Sequence, residues 1–171
     1  MFEKIKRKFL KKKTDKNLLN RDLSQRNVKI KTLGFLVDET IVSDFDMMYG
    51  LFKEMKLQPK DVKVYSFLEV KKKLPTLVQN RINNKDFTWK GEILNQNAVE
   101  FLDTSFDTLM GYYNRKNDFL DMMMSRSKAK FKAGFMTADD RLFDLQIDVD
   151  PNDFEAFKSE FIKYLKILNK I

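Results

Sequence analysis

Apolar residues alternate at period two in some stretches of the chain and recur every three or four residues in others, and the two patterns take turns. That is the signature of an α/β layer fold. A first strand is predicted over 28–30 and 33–37, and its unbroken apolar run at 33–37 suits a central strand covered on both faces. A helix capped by Ser43 follows, with Phe45, Met48, Phe52 and Met55 on one side and Pro59 at its exit. A second strand at 61–68 completes a βαβ unit whose crossover should be right-handed.

Residues 69–85 carry the weakest pattern, and a short helix or turn broken at Pro75 is expected there. Strict alternation over 87–93 predicts an edge strand, and 98–102 a single helical turn. A strand at 106–113, a helix at 118–126 and a strand at 131–135 form a second βαβ unit. A last strand at 142–149 follows the polar turn 137–141. The closing helix takes Asp150 as N-cap and Pro151 as its first residue, and its apolar face is Phe154, Phe157, Phe161, Tyr164, Leu165 and Leu168. The fold expected is a three-layer, doubly wound α/β domain with a mostly parallel sheet of five or six strands.

Charge divides the chain differently. Residues 1–30 hold eleven Lys/Arg against three Asp/Glu, and the remaining 22 basic and 22 acidic side chains cancel, so the net +8 lies at one end. A basic N-terminal helical arm over 1–27 and a neutral domain over 28–171 follow from this. The chain has no histidine and no cysteine. That removes disulfides, thiolate metal sites, cysteine nucleophiles and every His-based catalytic pair. The longest apolar run, 33–37, is far too short to span a bilayer, and lysines interrupt the apolar residues of the N-terminus, so a cytoplasmic location is expected.

Several stretches carry a family resemblance: 34–39 (Gly-Phe-Leu-Val-Asp-Glu), Lys90-Gly91, Phe106-Asp107 with Tyr113, 129–135 (Ala-Lys-Phe-Lys-Ala-Gly-Phe) and 160–165. With them the chain resembles a family of ~170-residue cytoplasmic proteins of Bacteroidota that stands as a domain of unknown function. The resemblance implies a compact domain and brings no activity or site residue. The stretch 106–135 is also similar to part of the N-terminal half of heptosyltransferase-type glycosyltransferases, which implies a doubly wound sheet.

Two sets of residues are candidates for function. The first is the arm, where Lys4, Lys6, Arg7, Lys8, Lys11, Lys12 and Lys13 surround Phe2, Ile5, Phe9 and Leu10. Such a helix would pack its apolar side on its own domain, or set its cations on RNA or the ribosome, on an anionic membrane surface, or on a protein partner. The second is Asp38, Glu39 and Thr40 at the carboxyl end of the first strand, with Asn114 at a neighbouring strand exit. Open α/β sheets bind ligands along that edge. No glycine-rich phosphate loop accompanies these residues, and acids repel phosphate, so loop and cap roles compete with a ligand site.

Asp139, Asp140, Asp144, Asp148 and Asp150 form an acidic group, but turn and capping roles account for it better than a Mg²⁺ ion. Two S-x-x-K matches, at Ser125 and Ser127, lack the partner motifs of penicillin-binding enzymes. Gly91 and Gly134, inside expected strands, suggest bulges or close backbone approach. No cofactor, metal or catalytic residue is assigned. The leading expectation is a non-enzymatic binding or adaptor module that uses its arm on an anionic partner. The alternative is a small-molecule or nucleotide-binding enzyme with its site at the sheet edge.

Overall fold

The computed structural model describes residues 1–73 and 78–171, so part of the expectation around Pro75 lies outside the described residues. Five α-helices are described: α1 (Phe2–Leu19), α2 (Asp46–Gly50), α3 (Gln96–Asp103), α4 (Asp118–Arg126) and α5 (Phe154–Ile167). They flank six strands: β1 (Leu33–Asp38), β2 (Val62–Leu68), β3 (Arg81–Asn83), β4 (Thr108–Tyr112), β5 (Phe131–Phe135) and β6 (Leu145–Ile147). The strands form one sheet in the order β3-β2-β1-β4-β5-β6, and every pairing is parallel. The three-layer, doubly wound architecture expected from the alternation is therefore the one observed.

Side-chain alternation along the strands builds two cores. Leu36, Tyr65, Phe67 and Leu109 face α1, α3 and α4, whereas Phe35, Val37, Val64, Met110 and Tyr112 face α2 and α5. All six residues of β1 are buried, as a central strand requires. The crossover from β5 to β6 is short because Leu142 and Phe143 pass over the α4 side, where the ring of Phe143 lies against Gly134. A side chain at Gly134 would begin 2.6 Å from that ring, so this strand glycine marks a close approach and not a bulge.

Tertiary contacts shift several boundaries. Residues 28–30 are not a strand, because the Ile30 N–H donates to the carbonyl of Lys170, and Lys170 Nζ donates to the carbonyls of Arg26 and Val28. The stretch 87–93 closes on itself through a single antiparallel bridge between Phe87 and Ile93. The sheet edge is instead β3, whose one core side chain is Ile82. The last helix starts at Phe154, with Asp153 accepting from the Ala156 N–H. Asp150 caps the preceding turn at the Asn152 N–H, and Pro151 gives its carbonyl to the Tyr112 hydroxyl at 2.6 Å. Tyr164 is only half-buried and Leu168 is exposed, since the helix ends at Ile167.

The basic segment is the outer helix of a layer. α1 packs along α4 with Leu10 fully buried, while Lys6 reaches inward and donates to the carbonyl of Asn84 at 3.0 Å. Thr14 is buried beside them, and Asn17 donates to Ser125 Oγ at 3.0 Å. The inward stripe is thus 6, 10, 14 and 17, and of the expected apolar set Phe2, Ile5, Phe9 and Leu10 only Leu10 belongs to it. Phe2 is exposed, and Phe9 is half-buried. A lysine can occupy an inward position because its methylene stem packs while its ammonium finds a carbonyl.

Candidate functional site

The strand order reverses between β1 and β4, and there the chain leaves β1 toward α2 on one face and β4 toward α4 on the other. Such a switch point opens a crevice at the carboxyl edge. The structure brings Asp38, Glu39 and Thr40 together at this edge and gives the acids local partners. Asp38 Oδ1 accepts from the Thr40 N–H at 2.9 Å and its hydroxyl at 2.7 Å, which closes the turn after β1. Glu39 pairs with Arg81 at 2.7 Å and joins the exit of β1 to β3. Asn114 makes no side-chain hydrogen bond to this group among the described residues.

A second polar group on the same edge escapes a reading of the sequence. The buried Tyr113 hydroxyl donates to Asp121 Oδ1 at 2.8 Å, beneath a cleft of about 360 Å³ between α1, the start of α4 and the turn after β5. Asn117 caps α4 by accepting from the N–H groups of Phe119 and Leu120, which fixes Asp121 one turn in. Arg141 spans the mouth, bonding Asp139 at 2.8 Å and Asp15 of α1 at 3.0 Å. Burial pushes the Asp121 carboxyl up to about 6; the Tyr113 bond opposes the shift, and the charge of Asp139 adds to it.

A carboxyl whose folded pKa lies above its unfolded value favours the fold while protonated, and that contribution fades as pH rises through the folded value. Asp121→Asn keeps an acceptor for Tyr113. It is expected to be neutral near pH 4 and to raise stability by up to about 3 kcal/mol near pH 8. Urea unfolding at both pH values checks this, and equal effects at the two would refute it.

The amino edge is held by long-range charge pairs. Asp107 accepts from the N–H groups of Lys31 and Thr32 and pairs with Lys130 at 2.8 Å. Burial works to raise its carboxyl, but the Lys130 ammonium and the backbone donors outweigh it and hold the group low. Arg21 grips Asp144 with two bonds, of 3.0 and 2.5 Å. Lys132 is buried with its ammonium on the carbonyl of Met124, at the end of α4; burial and the nearby Arg21 push it down to about 7. A cleft of about 440 Å³ lies here, and each of its cations has an acid nearby: Arg126 and Lys128 share Asp103, Lys130 has Asp107, and Arg21 has Asp144.

α1 is different. Of the seven cations expected to bind anions, Lys6 is buried in the packing, and Arg7 pairs with Glu69 and Asp118 while stacking on Phe119. Lys11 lies 4.0 Å from Asp118, and Lys13 packs beside Gly91. Lys4, Lys8 and Lys12 are exposed and, among the described residues, have no carboxylate within 4.0 Å. Lys16, outside the set of cations expected from the sequence, is in the same position. Lys4, Lys8, Lys12 and Lys16 recur every fourth residue, about 6 Å apart along the axis, and form an outward stripe.

An all-parallel, six-stranded sheet with helices on both faces and a cationic outer helix defines a three-layer α/β protein. The chain belongs to DUF6913, a family of unknown function whose model matches residues 6–168 and so takes in all but the first turn of α1. No curated protein and no solved structure matches it. Among the described residues no helix is long and apolar enough to cross a membrane.

Proposed function

We propose that the protein is a non-enzymatic binding module that presents the outward face of α1 to a polyanionic partner. The observation that carries this reading is the stripe Lys4, Lys8, Lys12 and Lys16, exposed on a helix whose other side is fixed to the domain. Along the amino edge Arg21, Arg126 and Lys130 are paired with acids, whereas these four stand together with no carboxylate within 4.0 Å among the described residues. A row of unmatched ammonium groups carried on a docked helix attracts anions at long range. A cytoplasmic location, where RNA is abundant, fits this reading.

The rival reading is a small-molecule or nucleotide site around Asp38, Glu39, Thr40 and Asn114. It has less support, because Asp38 is engaged in its own turn and Glu39 by Arg81. The local likeness to heptosyltransferases is a fold analogy and transfers no reaction.

Changing all four lysines of the stripe to glutamate is expected to weaken heparin binding at least about a hundredfold, with the melting temperature nearly unchanged since none of the four is buried. For the native chain, log affinity should fall with log salt at a slope of about −3, as four displaced counterions require. Binding that survives the substitution with the same salt slope would refute the proposal.

A further inference from the structure

The only tryptophan of the chain, Trp89, stands at the tip of a tight turn docked against α1. The Gly91 N–H donates to the carbonyl of Thr88 at 2.9 Å, and the Thr88 N–H donates to the carbonyl of Glu92 at 2.9 Å. Gly91 takes φ 76°, and a side chain there would begin 3.0 Å from Leu10, so the turn needs glycine both for its backbone and for its seat on the helix. The turn therefore holds Trp89 at a fixed place beside the lysine stripe. Its ring meets Phe9 edge-on with centroids 5.5 Å apart, and half of Trp89 remains open to solvent.

Cations surround this aromatic pair. Lys12 Nζ lies 5.8 Å from the Phe9 ring and Lys90 Nζ lies 5.2 Å from the Trp89 ring. On the far side of Gly91 a groove of about 340 Å³ runs between α1 and α4. Its apolar wall is Ile93, Val99 and Met122, and Lys13, Lys16 and Arg126 stand at its rim; Glu92 is the acid that shares it. An exposed ring, an apolar slot and a row of ammonium groups are the parts that hold unpaired bases and their phosphates.

Resting on the polyanion reading above, we infer that the partner is single-stranded nucleic acid, whose bases stack on Trp89 while its phosphates follow Lys8, Lys12 and Lys16. Lys90 would leave the ring for a phosphate as a base arrives. A duplex fits less well, since its bases are already stacked on one another and cannot reach the ring. A membrane surface would need apolar residues facing outward along the helix. α1 turns Leu10 inward and lysines outward along its length, and its exposed apolar residues, Phe2 and Leu19, lie at its two ends.

Because Trp89 is the sole tryptophan, its fluorescence reports on the proposed contact directly. The native chain is titrated with an oligouridylate of about fifteen nucleotides, long enough for such a site, and in parallel with heparin, a duplex of equal length and phosphatidylserine vesicles. Saturable quenching by the oligouridylate, weaker binding of the duplex, and heparin binding without quenching are expected. Trp89→Ala, followed by anisotropy of a labelled oligouridylate, should lose about tenfold or more in affinity while its heparin affinity stays the same. Oligouridylate that binds without quenching, and equally well to Trp89→Ala, would overturn the stacking inference and leave the polyanion reading in place. Blue-shifted emission with vesicles in preference to nucleic acid would overturn it in favour of a lipid surface. Failure to bind any of the four would bring down both.

Discussion

Replacing Asp144 with alanine is expected to destabilise the fold by about 3–5 kcal/mol, because it leaves a charge stranded inside the protein. The Asp144 carboxylate is nearly buried and accepts two bonds from Arg21, at 3.0 and 2.5 Å, and one from the Lys132 N–H at 2.8 Å. Arg26 approaches it at 3.8 Å. Removing the carboxylate orphans a guanidinium that is itself largely buried and a backbone donor at the edge of β5. Asp144→Asn keeps an acceptor without the charge and should fall between the two. The double change Arg21→Met with Asp144→Leu should cost less than Asp144→Ala alone, since no unpaired charge remains. Urea unfolding of the four proteins measures this. A loss below about 1 kcal/mol for Asp144→Ala would mean that the pair is screened like a surface one. Arg21 follows directly on α1, so faster amide hydrogen exchange over 17–21 should accompany the loss if the pair anchors the lysine-bearing helix.

Phe157→Ala is expected to cost about 3–5 kcal/mol as well, by a different route, the opening of a cavity. Phe157 is fully buried at the centre of the α5 face. Its ring lies 5.0 Å from Tyr112, 5.2 Å from Phe161, 5.5 Å from Phe154, 5.8 Å from Phe135 and 6.4 Å from Phe35. Those neighbours come from β1, β4, β5 and α5, so no single element can shift to fill the space. At about 2–4 °C per kcal/mol for a chain of this size, the melting temperature should fall by about 10 °C. Phe157→Leu should cost less than half as much, and equal losses for the two would argue against a packing origin. Either large effect is a sizeable part of the ~5–15 kcal/mol that holds a domain together.

Legibility of this fold in its sequence tracks how local each signal is. α4 and β5 lie over the residues read from the pattern, because their caps, period and apolar faces are set by near neighbours. β3 carries no pattern of its own, since Arg81-Ile82-Asn83 offers one apolar residue and is a strand only through its ladder with β2. The alternation at 87–93 belongs to a closed turn, and its Trp89 gains a role only from Phe9, eighty positions away in the chain. Nothing in the sequence near Asp107, Asp121 or Asp144 shows which residue each will pair with. The Arg21–Asp144 pair joins residues 123 positions apart. Within the basic helix the order of lysines and apolar residues pointed to an inward face of which only Leu10 is fully buried. Lys6 found a carbonyl at Asn84 that local periodicity cannot reveal.

By itself the sequence determined the alternation of strands and helices, hence the α/β class, and the concentration of charge in the first thirty residues, hence the kind of partner to ask about. Both depend only on composition and on residues within a few positions of one another. Tertiary structure decided which side of α1 faces outward, which of its cations are paired with acids, and that Trp89 stands beside the row that is not. Each of those is a contact between residues far apart in the chain, and such contacts exist only once the sheet order has brought them together.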